Sequence, residues 1–193
     1  MSAAKRMGVG GRAMDPLQDV PRAAVSAETP DWSRERPRAS WDPSRRLLQA
    51  IRRWQAARAG HGPAANFRLR WWSLQHRIWS VVTGADIPLK AHIEGGLLLP
   101  HPNGIVVHPG VRIGPNCLLF QQVTLGTRSG VRGAPRLGGH VDVGAGAKIL
   151  GPVSIGDHAS IGANAVVLCD VPAGCRAVGI PARILPPEAN RGA

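Results

Sequence analysis

The chain has 193 residues, a formal net charge of +12 and 44% hydrophobic residues, enough for one domain with an extension. No apolar run is long enough to cross a bilayer, and the N-terminus lacks the apolar stretch of a secretory signal. Cys117, Cys169 and Cys175 form no C-x-x-C pair, so the expectation is neither a disulfide framework nor a zinc ribbon but a reduced, cytoplasmic protein.

Residues 1–41 mix Gly, Pro, Ala and charges without a period and are expected to form a mostly disordered extension. Asp42 as N-cap and Pro43 at the first helical position then start a helix. Leu47, Leu48, Ile51 and Trp54 recur at helical spacing along it, and Gly60 ends it. A second helix is predicted from about Pro63 to Thr83, with Phe67, Trp71, Leu74, Ile78 and Val81 as its apolar face and Gly84 closing it. Residues 43–85 hold eight arginines and no acidic residue. That pattern reads as the solvated basic face of a helical hairpin over residues 42–85, or else as a surface for nucleic acid or membrane.

The period then changes to six. Ile87, Ile93, Leu99, Ile105, Val111, Cys117 and Val123 are followed, after a gap, by Leu137, Val143, Ile149, Ile155, Ile161, Val167 and Ala173. None of these is polar, as a narrow core requires, because an unpaired charge inside it would cost several kcal/mol. Gly138, Gly144, Gly156 and Gly162 occupy the next position, and Ala91, Ala147, Ala159 and Ala165 the fifth. The pattern predicts a parallel β-helix over residues 86–185, three hexads to a coil of about 18 residues, with a tail at 186–193. A sandwich of short strands would show period-two alternation and irregular turns instead. Residues 127–136 have no aliphatic at the required spacing and must leave the stack as a loop.

Titratable groups in the repeats are few: His92, His101, His108, His140, His158, Asp86, Glu94, Asp142, Asp157 and Asp170. No phosphate-binding loop or nucleophile elbow is present. His101 sits between Pro100 and Pro102, which leaves two readings, a turn residue or a general base. Asp86, 15 residues upstream and so about one coil away, is placed to orient its ring.

The segments VTLGT and VGAGAKILGPVSIGDHASIGANAVVLCDVPAGCRAVGIPARI resemble the hexapeptide-repeat acyltransferases, most of all serine O-acetyltransferase, from about Asp86 to Leu185. The resemblance implies a left-handed β-helix preceded by a short helical region. It implies a homotrimer, some of them paired into hexamers, with acetyl-CoA between subunits as co-substrate and no permanently bound cofactor or metal. The family's catalytic histidine falls on His101 and its partner aspartate on Asp86. CoA-binding positions fall on Thr127, Gly144, Ala145 and Ala163, with Lys148 and Arg183 placed to meet phosphates. The implied reaction is direct acetyl transfer to serine, in cysteine biosynthesis.

Departures from the family pattern fall at Pro100, at His108-Pro109 and at Gly133-Ala134. They touch groups that hold serine's carboxylate and amine, so a sugar or polysaccharide hydroxyl is the second acceptor considered, with Arg128, Arg132 and His108 as substitutes for the missing contacts. The family's terminal isoleucine is replaced by Asn190-Arg191-Gly192-Ala193, so no complex with a sulfhydrylase is expected. Two further readings are a zinc hydratase using the stacked His140 and His158, and a non-enzymatic oligomer whose basic helices bind an anionic surface.

Overall fold

The computed structural model describes residues 25–187. The greater part of the extension expected to be disordered, residues 1–24, lies outside that range, as do residues 188–193 of the tail.

Strands of two or three residues carry one side chain out and the next one in, and they stack into three parallel sheets, the faces of a prism. Face I holds β1 (His92–Ile93), β3 (Arg112–Ile113), β6 (Arg136–Leu137) and β9 (Ser154–Ile155). Face II holds β4 (Leu118–Leu119), β7 (Asp142–Val143), β10 (Ser160–Ile161) and β12 (Arg176–Val178), and is closed by β13 (Arg183–Leu185) running antiparallel to β12. Face III holds β2 (Val106–Val107), β5 (Thr124–Gly126), β8 (Lys148–Leu150) and β11 (Val166–Val167). Bridges from Leu98 to Leu118 and from Asp86 to Val106 begin faces II and III one rung earlier.

The coils are not all of one length. Ile93 lies over Ile113, twenty residues on; Ile113 over Leu137, twenty-four on; Leu137 over Ile155, eighteen on; and Ile155 over Val171, sixteen on. The first coil gains two residues between Leu99 and Val107, which shifts the phase. Ile105, Val111, Cys117 and Val123 therefore fill a second interior column, together with Val141, Ala147, Val153, Ala159 and Ala165, while Val107, Ile113, Leu119 and Leu125 take the strand column; all are buried. The loop at 127–136 lengthens the second coil by six and so preserves the phase. The last coil is two short, so Ala173, expected inside, is exposed, and Val171 and Ala177 point inward in its place.

Helix α1 (Pro43–Ala57) and helix α2 (Pro63–Thr83) occupy the expected spans. Leu47, Leu48 and Ile51 of α1 join the core of the first coil. Helix α2 packs on α1 and reaches that core through Trp79. Its expected buried face is outward: Phe67 is 70% and Val81 84% exposed, and Trp71, Leu74 and Ile78 are exposed as well. The reason is order of packing. Once α1 covers the first coil, α2 forms an outer layer whose buried positions are Ala65 and Thr83.

Residues 25–41 are fastened to the prism rather than disordered. Asn116, buried at a corner with φ 60°, donates to the carbonyls of Ser26 and Thr29 and accepts from Asp31 N–H. Glu35, on a 3-10 helix at Trp32–Glu35, is 6% exposed. It takes a two-pronged bond from Arg52 at 3.0 and 2.8 Å and accepts from Leu97 N–H at 3.1 Å. Charge-assisted bonds of this kind satisfy groups that would otherwise be costly to bury.

Candidate active site

The edge where face II turns into face III carries His101 and, of the expected acyl-donor positions, Gly144, Ala145 and Ala163. The two-residue gain of the first coil falls on this corner, at Pro100–Gly104, and His101 rides on it, exposed. Below it on the same edge follow Phe120, then Gly144 and Ala145, then Ala163, each between a face II strand and a face III strand. The His101 and Phe120 rings lie 6.5 Å apart, tilted by 30°.

Asp86 heads the outward column of face III, above Val106, Thr124, Lys148 and Val166. Gly104 N–H donates to the Gly84 carbonyl at 2.9 Å, which ties the His101 corner to the chain just before Asp86. Both side chains are exposed, and no hydrogen bond joins the Asp86 carboxylate to the His101 ring. The backbone thus brings the two residues to one end of the edge without closing a dyad.

Of the remaining positions, Thr127 is exposed at the corner from face III to face I, at the root of the 127–136 loop. Lys148 points outward from β8 and donates to the Gln122 carbonyl. Arg183 is exposed on β13. Gly144 has a structural reason of its own: a Cβ there would stand 2.7 Å from the Ala163 backbone nitrogen on the coil below. Its small size lets the coils stack, and it also leaves the backbone open to a ligand along the edge.

Two features of the site were not read from the sequence. The segment before α1 and the first turn of α1 wall a cleft of about 640 Å³ with His101, lined by Arg38, Asp42 and Arg45 and by Phe120 and Asp142. Burial pushes the Asp42 carboxyl up, but the Arg38 N–H and the Arg45 side chain more than offset that and hold it below its usual range. Gln121, next to Phe120, keeps its side-chain oxygen buried with no hydrogen-bond partner, an acceptor waiting for a donor. The irregular segment carried no period to announce the cleft, and the repeat pattern does not say which corner side chains find a partner.

His140 and His158 do stack, at the corner from face I to face II, with Nδ1 atoms 2.8 Å apart. They hydrogen-bond to each other, and among the described residues no group of three His, Cys, Asp or Glu is placed to hold a metal ion.

A prism of short parallel strands stacked in three sheets defines the class: a left-handed parallel β-helix of hexapeptide repeats with a helical N-terminal region. Parallel crossovers are right-handed in about 98% of cases because long strands twist; strands this short carry little twist to enforce the rule. The particular likeness is to serine acetyltransferases. The enzyme of that name from Synechococcus elongatus is 44% identical over 108 residues, 54% of this chain and 44% of that one. Among solved structures, a soybean serine acetyltransferase complexed with serine has a TM-score of 0.61 at 37% identity, covering 72% of this chain and 56% of that chain. A serine acetyltransferase in complex with CoA has a TM-score of 0.63 at 33% identity, covering 75% and 57%. The chain spans about half the length of the curated relatives it matches. No family model matches it.

Proposed function

We propose that the chain is an acetyl-CoA-dependent O-acetyltransferase with L-serine as acceptor, supplying O-acetylserine for cysteine synthesis in the cytoplasm. The observation that carries this reading is the single edge on which His101, Phe120, Gly144, Ala145 and Ala163 follow one another. His101 accepts the proton of the serine hydroxyl as its oxygen attacks the thioester carbonyl. The tetrahedral intermediate collapses, the C–S bond breaks, and the imidazolium returns the proton to the CoA sulfur. Asp86 steadies the imidazolium, and backbone N–H groups of the edge receive the oxyanion. The pantetheine arm runs down the edge past Gly144, Ala145 and Ala163. Lys148 on β8, Arg183 on β13 and Thr127 at the corner from face III to face I are the remaining donor-binding positions. No covalent enzyme intermediate is required.

Both Asp86 and His101 are exposed in the single chain, so the site is completed by a neighbouring subunit in a homotrimer, alone or paired as a hexamer. The mixed charge of the cleft beside His101, with Arg38 and Asp42 in its wall, suits a zwitterionic acceptor better than a neutral sugar.

The test is an acceptor screen that detects the free thiol of CoA. Serine should be turned over, and His101→Ala should lower kcat by about 10² to 10⁴, the usual contribution of a positioned base. Turnover of a sugar acceptor with none of serine would transfer the reading to polysaccharide O-acetylation; an unaffected His101→Ala would remove the base.

A further inference from the structure

Face I, the side of the prism away from the His101 edge, presents an unusual column. Parallel pairing sets His92 directly over Arg112, and Arg112 directly over Arg136. All three side chains point outward and are exposed. Neighbouring strands lie about 4.8 Å apart, and like charges directly opposite one another destabilise a sheet. Among the described residues neither Arg112 nor Arg136 enters an ion pair.

The column floors a cleft of about 600 Å³ between α1 and face I. Lys90 and Arg58 add two further cations to its lining, and Glu94 is the one acidic residue in it. Arg58 lies over the Trp54 ring, 5.3 Å from its centroid, which gives the cleft a rigid aromatic wall.

We infer that this cleft is a binding site for a small polyanion of the diphosphate class, separate from the acetyl-transfer edge. Arginine's planar fork pairs with phosphate oxygens through two parallel bonds, and two forks one strand apart match two linked phosphates. The cations converge in a concavity a few residues wide. The column ends at Ser154, the partner of Arg136 on β9, so it does not form the long track that a nucleic-acid backbone needs. CoA also carries a diphosphate, but its proposed path lies between faces II and III, on the opposite side of the prism. The inference therefore does not depend on the chain being an acetyltransferase.

The experiment is calorimetric titration of the full chain with inorganic pyrophosphate, alongside thermal unfolding with and without it. Wild type should bind saturably and melt higher in its presence. Arg136→Gln should weaken binding at least 10-fold, and Arg112→Gln/Arg136→Gln should abolish it. Because the substitution removes a like-charge contact, Arg136→Gln should melt no lower than wild type when no anion is present. Its turnover with acetyl-CoA should be unchanged. Absence of pyrophosphate binding to wild type overturns the proposal. Undiminished binding by the double variant, which would place the anion elsewhere, overturns it as well. A drop in oligomer mass for Arg136→Gln, without pyrophosphate binding by wild type, would assign the column to a subunit contact instead.

Discussion

Two buried polar groups show what individual residues contribute. Glu35 is fixed by Arg52 and Leu97 N–H, so Glu35→Ala strips one partner from a largely buried cation and one acceptor from a buried amide. Removing one member of a buried pair costs about 3 kcal/mol or more, which for a chain of this size is a fall in Tm of about 6–12 °C, read by thermal unfolding. Cys117 is the other case. It is buried, and burial pushes its thiol up from 9.0 to about 12. Above pH 9 the unfolded chain loses this proton while the folded chain keeps it, so the unfolded state binds fewer protons. Stability is unaffected by this group below pH 9. It falls between pH 9 and about 12 by at most about 1.4 kcal/mol per pH unit. At neutral pH the same burial protects the thiol. Iodoacetamide should modify the exposed Cys169 on the native chain and reach Cys117 only after denaturation, as peptide mass mapping would reveal.

At the scale of elements, the repeat was legible because each hexad must place an apolar side chain inside, and no alternative fold imposes that spacing so strictly. What it hid was length variation between coils. A two-residue gain at 100–104 moves the phase from one interior column to the other, and both columns are apolar, so the sequence reads smoothly across the shift. The helices show the converse. Their prolines marked where they begin and Gly84 where α2 ends, although the Asp42 side chain makes no cap bond and α1 stops at Ala57, short of Gly60; an apolar stripe does not say what covers it. In α1 the stripe meets the first coil; in α2 the residues of the stripe point outward. The two helices should therefore respond differently to truncation. Leu47 is wholly buried, and Leu47→Ala should cost about 2–5 kcal/mol. Val81→Ser should stay within about 0.5 kcal/mol. Chemical denaturation of each variant, compared at equal chain concentration, separates them; equal losses would mean that α2 is packed on its outer face.

For the whole molecule, what matters is that the His101 edge is open. His101 and Asp86 were readable as candidate residues from the sequence and its resemblance, but the mixed-charge cleft was not, nor was the separation of the two side chains in the single chain, since spacing along a coil fixes the rung and not the side-chain contact. A single prism offers an acyl donor one wall, with Gly144 and Ala163 spaced for coil stacking, and leaves His101 exposed at its end. On the proposed reading, a second prism laid along the edge would supply the other wall, exclude water, and strengthen each charge contact by lowering the local dielectric. If so, catalysis belongs to the assembly and follows mass action. Light scattering should give a mass about three or six times the 20.4 kDa chain. Specific activity should be constant at high concentration and fall on dilution in step with that mass, while the circular dichroism of the β-helix stays unchanged. Activity that remains constant per chain after the mass has dropped to that of one chain would show that the edge works alone, and would return the donor site to a single subunit.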